Sequence, residues 1–135
     1  MSGAVAGVSA LLLLLTGATA AVAVPIGQPM TGEMTYYSAY GPGACGTFID
    51  TSTQDVVAVS SQWFTAANPA NDPLCQGMSV QVTYNGHTLT VPVADECPSC
   101  DASNIDLSQH AFAELAPLST GTVTGITWQF VPEPQ

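Results

Sequence analysis

The feature that most constrains the fold is a pair of alternating segments joined by Asn85-Gly86. Apolar and polar residues alternate through residues 78–84 and again through residues 87–93. Asn-Gly readily adopts the positive φ angles that a two-residue type I′ turn requires, and this turn matches the twist of the strands that it joins. The pattern therefore predicts a β-hairpin at residues 78–93, and with it a β-rich fold.

Three further segments have the composition of strands, and one has the pattern of a helix. Residues 33–40 alternate and are rich in Thr and Tyr, residues 56–60 form a short apolar run, and residues 122–131 are rich in β-branched and aromatic residues. Residues 108–115 have Phe112 and Leu115 at helical spacing, with Ser108 as a candidate N-cap. Six or so short strands, one small helix and turns between them predict an all-β fold, a small β-barrel.

The connecting segments contain turn-forming residues. Residues 41–46 are predicted to form a loop and residues 61–64 one helical turn. Residues 66–73 are predicted to be irregular because they contain two prolines. Trp128 alternates with apolar neighbours and is predicted to lie in the core.

The first 23 residues have the pattern of a secretory signal peptide. The run of five leucines at residues 11–15 is followed by small residues with A-x-A patterns that end at Ala20 and Ala23. Although no Lys or Arg precedes the apolar run, we expect cleavage after Ala23, with Ala20 as the competing site, and a secreted, extracellular protein. The apolar segment is too short for a membrane span of about 20 residues. The predicted organisation is a signal peptide at 1–23, an extended lead-in at 24–32, a barrel domain at 33–131 and a tail at 132–135.

Charge excludes several classes of partner. The chain has 10 Asp and Glu residues, no Lys or Arg, and a formal net charge of −10. Without a permanent cation it cannot neutralise phosphates, so nucleic acids and anionic membranes are not expected partners. A neutral, hydroxyl-rich partner fits this charge, and so does a purely solubilising role for the acidic residues.

Four cysteines in a small secreted domain predict two disulfides, for which three pairings are possible. We favour Cys45 with Cys75 and Cys97 with Cys100. The second pair has thioredoxin-like spacing, but the carboxylates around it disfavour a reactive thiolate, so a structural disulfide is the better interpretation. No metal site and no cofactor are expected.

Two aspartates are the leading candidates for chemistry. Asp95 ends an apolar strand and Asp106 is placed at the start of the short helix, so the two carboxylates can converge on one groove. Carboxylates in a groove hydrogen-bond sugar hydroxyls or transfer protons. Each also has a structural alternative, since Asp106 could cap the helix and Asp95 could stabilise a turn. His87 and His110 are predicted to be surface residues.

A series of short motifs resembles a known family. In chain order these are Thr35-Tyr36-Tyr37, Cys45-Gly46, Cys75, Val93-Ala94-Asp95, Asp106-Leu107-Ser108, Ala111-Phe112 and Ile126-Thr127-Trp128. Together they resemble the double-psi β-barrel domain of expansin-like proteins, above all the single-domain loosenins, with RlpA-like domains and barwin as wider relatives. The resemblance covers residues 33–131 and implies an all-β fold, a six-stranded double-psi β-barrel with one short helix.

The resemblance implies a monomer that binds and loosens wall polysaccharides such as cellulose or chitin without net hydrolysis. Asp106 and Asp95 match the functional aspartates, and Thr35 and Tyr37 match the first-strand motif that lines the groove. Tyr40 is a second candidate for stacking on a sugar ring. Trp63 follows a strand and is placed either on the groove rim or, equally, in the core. Related endoglucanases have their catalytic base at the position of Ala39, so an inverting hydrolase would lack its water-activating carboxylate.

Two other functions occur on related barrels. One is inhibition of cysteine proteases, which would use exposed loops at residues 41–47 or 66–74 instead of the aspartates. The other is lytic cleavage of peptidoglycan, as in RlpA-like lytic transglycosylases, in which an equivalent aspartate acts as the acid.

Overall fold

The computed structural model describes Gly3 and residues 24–132. The predicted signal peptide, apart from Gly3, and the last three residues of the predicted tail therefore lie outside the described residues. No helix in this part of the chain is long and apolar enough to cross a membrane. The strands are β1 (Met30–Tyr37), β2 (Tyr40–Pro42), β3 (Phe48–Asp50), β4 (Val57–Ser60), β5 (Met78–Tyr84), β6 (His87–Cys97), β7 (Ile105–Ser108) and β8 (Val123–Pro132), and the helix is α1 (Gln109–Leu115).

Six strands close into a barrel in the order β1-β7-β4-β6-β5-β8. Strands β1 and β7 pair in parallel, as do β4 and β6, while β4 and β7 are antiparallel. Strand β8 completes the closure through antiparallel pairing with both β1 and β5. The predicted six-stranded barrel with one short helix is confirmed. Strands β2 and β3 form a separate two-stranded sheet outside it.

The hairpin at the centre of the sequence prediction is present. Strands β5 and β6 pair from Ser79 opposite Pro92 to Tyr84 opposite His87. The turn residues Asn85 and Gly86 have φ angles of 49° and 79°, as a type I′ turn requires. This turn fixes the register, because a shift by one residue would move the buried valines to the solvent face.

The barrel interior is filled by apolar side chains from all six strands and from α1. The predicted core position of Trp128 is confirmed, since it is 1% exposed and packs edge-to-face on Phe130 with 5.0 Å between ring centroids. Phe112 of α1 is fully buried and contacts Tyr36 at a centroid distance of 5.0 Å. The helix therefore closes the barrel against β1, and its predicted cap is present, as the Ser108 side chain accepts a hydrogen bond from the Ala111 N–H.

Two disulfides hold the loops, with the pairing that the sequence favoured. Cys45 is bonded to Cys75, 30 residues away, and Cys97 to Cys100. The first bridge connects the segment between β2 and β3 to the loop before β5. Because all four cysteines are bonded in disulfides, they offer no thiolates for a metal.

Two local predictions were wrong. Asp106 does not open the helix but lies within β7, because the four residues of that strand pair in parallel with β1, a non-local contact. Residues 66–73 are not irregular throughout: 3₁₀ turns form at Pro69–Asn71 and Pro73–Cys75. A proline fits the first position of such a turn, where no N–H is needed.

Candidate functional site

Four side chains lie in one row across four neighbouring strands. Thr35 of β1 is paired with Asp106 of β7, Asp106 with Ala58 of β4, and Ala58 with Asp95 of β6. Residues directly opposite each other on neighbouring strands share a face of the sheet. The two aspartates therefore lie on the same face, about 10 Å apart at their Cα atoms, with only the methyl group of Ala58 between them.

Asp106 is held by Thr35, whose hydroxyl donates a 2.9 Å hydrogen bond to its Oδ1. Burial raises the pKa of Asp106, the hydrogen bond from Thr35 lowers it in part, and the negative charge of Asp95 raises it further. The strand register, which places both carboxylates on one face of the sheet, accounts for this influence of Asp95. A carboxyl group in this state can accept hydrogen bonds from hydroxyls or, when protonated, donate one.

Asp95 has three partners. Its Oδ2 accepts a 3.1 Å hydrogen bond from the Tyr37 hydroxyl, while its Oδ1 accepts hydrogen bonds from the backbone N–H groups of Ala44 at 2.8 Å and Glu96 at 2.9 Å. Burial raises the pKa of Tyr37, and the charges of Asp95 and Asp106 raise it further. Asp95 therefore has a structural role in anchoring the loop at Ala44, besides lying on the same face of the sheet as Asp106.

The remaining predicted residues lie elsewhere. Tyr40 is 80% exposed, on β2 outside the barrel. Trp63 occupies the core position and not the groove rim, so its assignment to substrate binding is corrected: it is 9% exposed, its ring packs on Phe130, and its Nε1–H donates a 2.7 Å hydrogen bond to the Ala102 carbonyl. That bond satisfies the indole in the interior and allows it to be buried. Ala39 lies between β1 and β2 and donates its N–H to Thr51 Oγ1 at 2.8 Å.

A third aspartate, Asp72, organises the second loop, and it was not predicted from the sequence. The carboxylate of Asp72 is buried and accepts hydrogen bonds from the N–H groups of Thr65 at 2.7 Å, Ala66 at 2.8 Å and Leu74 at 3.0 Å. Burial alone would raise the pKa of Asp72, but these donors outweigh burial and lower it. The Asp-Pro-Leu order was the available signal, since an Asp before a proline is a typical cap.

One group of side chains has the composition of a metal site. One ligand atom each from Asp55, His110 and Glu114 lies within 4.8 Å of the others. His110 Nδ1 lies 2.5 Å from Asp55 Oδ1, and this hydrogen bond raises the pKa of His110. The bond satisfies both groups without an ion. Its contribution to stability is complete below the ordinary His value of 6.5 and is lost as the pH rises through the raised pKa.

Sequence comparison identifies one family and a similar relative. The model of a double-psi β-barrel family described as lytic transglycolase matches residues 30–127. A papain inhibitor from Streptomyces mobaraensis is 60% identical over 119 residues, which span 88% of this chain and 83% of the relative.

Two solved structures share the fold. A Streptomyces papain inhibitor superposes with a TM-score of 0.79 and 65% identity, over 80% of this chain and 98% of the inhibitor. An expansin variant from Clavibacter michiganensis, solved in complex with cellohexaose, gives a TM-score of 0.61 and 26% identity, over 80% of this chain and 52% of the expansin. The chain thus spans about half the length of that expansin.

Proposed function

Because the chain belongs to the family of RlpA-like double-psi β-barrels, we propose a function that is known for a barrel of this kind, the inhibition of papain-like cysteine proteases. The model of the family is described as lytic transglycolase, but a papain inhibitor is the relative to which this chain is 60% identical. The observation that carries the proposal is the 60% identity to a papain inhibitor over 83% of that protein's length. The 26% identity to expansin is far lower, although the fold is the same.

The surface of the barrel suits a protease inhibitor. Two of its loops, at residues 41–47 and 66–74, are connected by the Cys45–Cys75 disulfide. Each loop is also fixed by a carboxylate, the first by Asp95 and the second by Asp72. A loop that is already ordered loses little conformational entropy on binding, and this favours tight association.

We expect the purified protein, without residues 1–23, to inhibit papain with a dissociation constant below about 1 µM, or about −8 kcal/mol. Papain would be activated with a thiol and then desalted, so that the inhibitor's disulfides stay intact. Residual activity would be titrated against a small fluorogenic peptide, with trypsin as the control protease. Full papain activity at a tenfold molar excess of inhibitor would contradict the proposal.

Secretion belongs to the same proposal. We place a signal peptide at residues 1–23, removed after Ala23 or Ala20, ahead of a barrel domain at residues 33–131. The two disulfides support an oxidising destination outside the cytosol. The partner would then be a protease that the protein meets outside the cell.

A second candidate function is weak binding of wall polysaccharides along the groove between Asp95 and Asp106. Two features of the site favour this function: the row of side chains that includes Thr35, and the raised pKa of Asp106. The cellohexaose complex of the similar expansin also favours it. Each net hydrogen bond to a sugar contributes only about 1 kcal/mol, so the affinity of a single domain would be low.

This candidate predicts that Asp106→Asn abolishes retention on insoluble cellulose or chitin, because Asn cannot supply the charged acceptor to sugar hydroxyls. Papain inhibition should be unchanged in the same variant. Asp101→Asn is the matched control, since Asp101 is an exposed carboxylate nearby in the sequence. If the wild-type protein is retained on the glycan and Asp106→Asn is retained equally well, the groove has no role in this binding.

A further inference from the structure

Two exposed aromatic side chains contact each other outside the barrel. Among the described residues the large hydrophobic side chains with high exposure are Ile26, Tyr40, Phe48 and Leu118. Tyr40 and Phe48 are 80% and 55% exposed, and their ring centroids are 4.9 Å apart. Contiguous apolar surface of this kind marks an interaction site more often than isolated exposed residues do.

The alternation of the β2–β3 sheet explains why both rings point outward. Tyr40 pairs with Asp50, and Pro42 pairs with Phe48, so these four residues share one face. Ile49 lies on the opposite face and is 1% exposed, in a small core with Val56 and Ala94. We call the exposed side, formed by Tyr40, Pro42 and Phe48, the outer face.

The outer face is rigidly supported from below. An isolated two-stranded sheet is only marginally stable, so this one depends on its attachments to the barrel. The Ala44 N–H donates to Asp95, the Cys45 N–H donates to the Ala94 carbonyl at 3.3 Å, and the disulfide connects Cys45 to Cys75. Gly43 fits closely, because a Cβ there would lie 2.7 Å from the Ala94 carbonyl oxygen. The two aromatic rings are therefore presented by an ordered hairpin.

Ring geometry favours a protein partner over a sugar. The planes of Tyr40 and Phe48 are at 89° to each other, so the rings do not form a flat platform on which successive sugar rings can stack. A projecting pair of this shape fits a concave apolar surface. Phe48 also lines a neighbouring groove of about 540 Å³ together with Cys45 and Cys75, so the contact surface can extend beyond the hairpin.

We infer that the outer face of the β2–β3 hairpin is the surface that enters the active-site cleft of a papain-like cysteine protease, with Tyr40 and Phe48 as its main contact residues. The inference rests on the proposed function, and a papain inhibitor is the relative that identifies the partner's class. Aromatic side chains supply a large share of the binding energy at protein interfaces. Asp50, across from Tyr40, and the net charge of −10 favour a cleft with a cationic rim.

The test compares two double variants with the wild-type protein in the papain titration. Tyr40→Ala with Phe48→Ala should weaken inhibition by at least about 100-fold, because two central aromatic contacts are lost. Ile26→Ala with Leu118→Ala removes the other two large hydrophobic side chains that are exposed among residues 24–132, and should leave inhibition within about threefold of the wild type. Thermal unfolding of both variants would check that the fold is retained.

A second measurement does not depend on the variants. Amide hydrogen exchange of the wild-type protein would be measured with active papain and with papain whose cleft is occupied by a reagent on its active-site cysteine. Residues 40–50 should gain protection with active papain and not with blocked papain. If the wild-type protein does not inhibit papain at all, the proposed function fails. If it inhibits but the aromatic variant inhibits equally, or residues 40–50 gain no protection, the hairpin is not the contact. If the aromatic variant loses glycan retention while its inhibition is intact, the outer face binds glycan and not the protease.

Discussion

Replacing both Cys45 and Cys75 with serine is expected to lower the free energy of unfolding by about 3.5 kcal/mol, since this bridge closes 30 residues and restricts the unfolded chain most. For a domain of this size the loss corresponds to a fall in Tm of roughly 15 °C. Thermal and denaturant unfolding, followed by circular dichroism, would measure it. Papain inhibition should weaken as well, because the bridge supports the β2–β3 hairpin.

The matched control is the double replacement of Cys97 and Cys100. That bridge spans a sequence separation of 3, so the same entropic argument gives a loss of about 2 kcal/mol. It joins the last residue of β6 to the turn that follows and does not connect the two loops that we assign to inhibition. Equal effects of the two double variants on inhibition would contradict the role of the first bridge in presenting the hairpin.

Asp72→Asn is expected to lower the free energy of unfolding by about 3 kcal/mol at neutral pH, because the amide cannot replace both acceptor oxygens. The backbone N–H groups of Thr65 and Ala66 donate to Oδ2, and that of Leu74 donates to Oδ1. In either orientation, the NH₂ group of an Asn would therefore face at least one backbone N–H group. The loop at residues 66–74 would lose its order, and inhibition would weaken if that loop contributes to the interface.

The pH dependence distinguishes this effect from a general loss of packing. The pKa of Asp72 is lowered in the folded protein, so its contribution is complete above the ordinary Asp value of 3.8 and is lost as the pH falls through the lowered pKa. The stability difference between wild type and Asp72→Asn should therefore shrink in acid. Asp101→Asn is the control, since Asp101 is exposed and its replacement should change the unfolding free energy little. A difference that stays constant down to strongly acidic pH would contradict the role of the charge.

Local signals predicted part of the fold well. The Asn85-Gly86 turn, the short strand at β4 and the Ser108 cap each depend on residues close together in the sequence, and all three are present. The closed six-stranded barrel came from the family resemblance and from the count of strands together. Non-local pairing was the harder part: β7 has only four residues and is defined by its parallel contact with β1.

The β2–β3 hairpin was missed for a related reason. Its strands have three residues each, and the connection between them has no Asn-Gly pair to identify it. Its position depends on Cys45 and on Asp95, both of which act across the chain. The exposed aromatic pair could therefore not be recognised as a surface from the sequence, although Tyr40 was singled out for another role.

The proximity of the two aspartates was predicted more completely than the function. The convergence of Asp95 and Asp106 agrees with the register of β6, β4 and β7, whereas their role in binding sugars stays a prediction. The resemblance to expansin-like proteins favoured polysaccharides, but relatives of one fold carry different activities. The higher identity to a papain inhibitor supports protease inhibition better than it supports the loosening of polysaccharides.

The shared use of Asp95 affects how any mutational study of this protein must be interpreted. One carboxyl oxygen holds Tyr37 at the groove and the other holds the main chain of the hairpin at Ala44. A single replacement there would disturb two surfaces at once, and a lost activity could not be attributed to either. Asp106 and Tyr40, which have no such double attachment among the described contacts, are the positions at which the two surfaces can be probed separately.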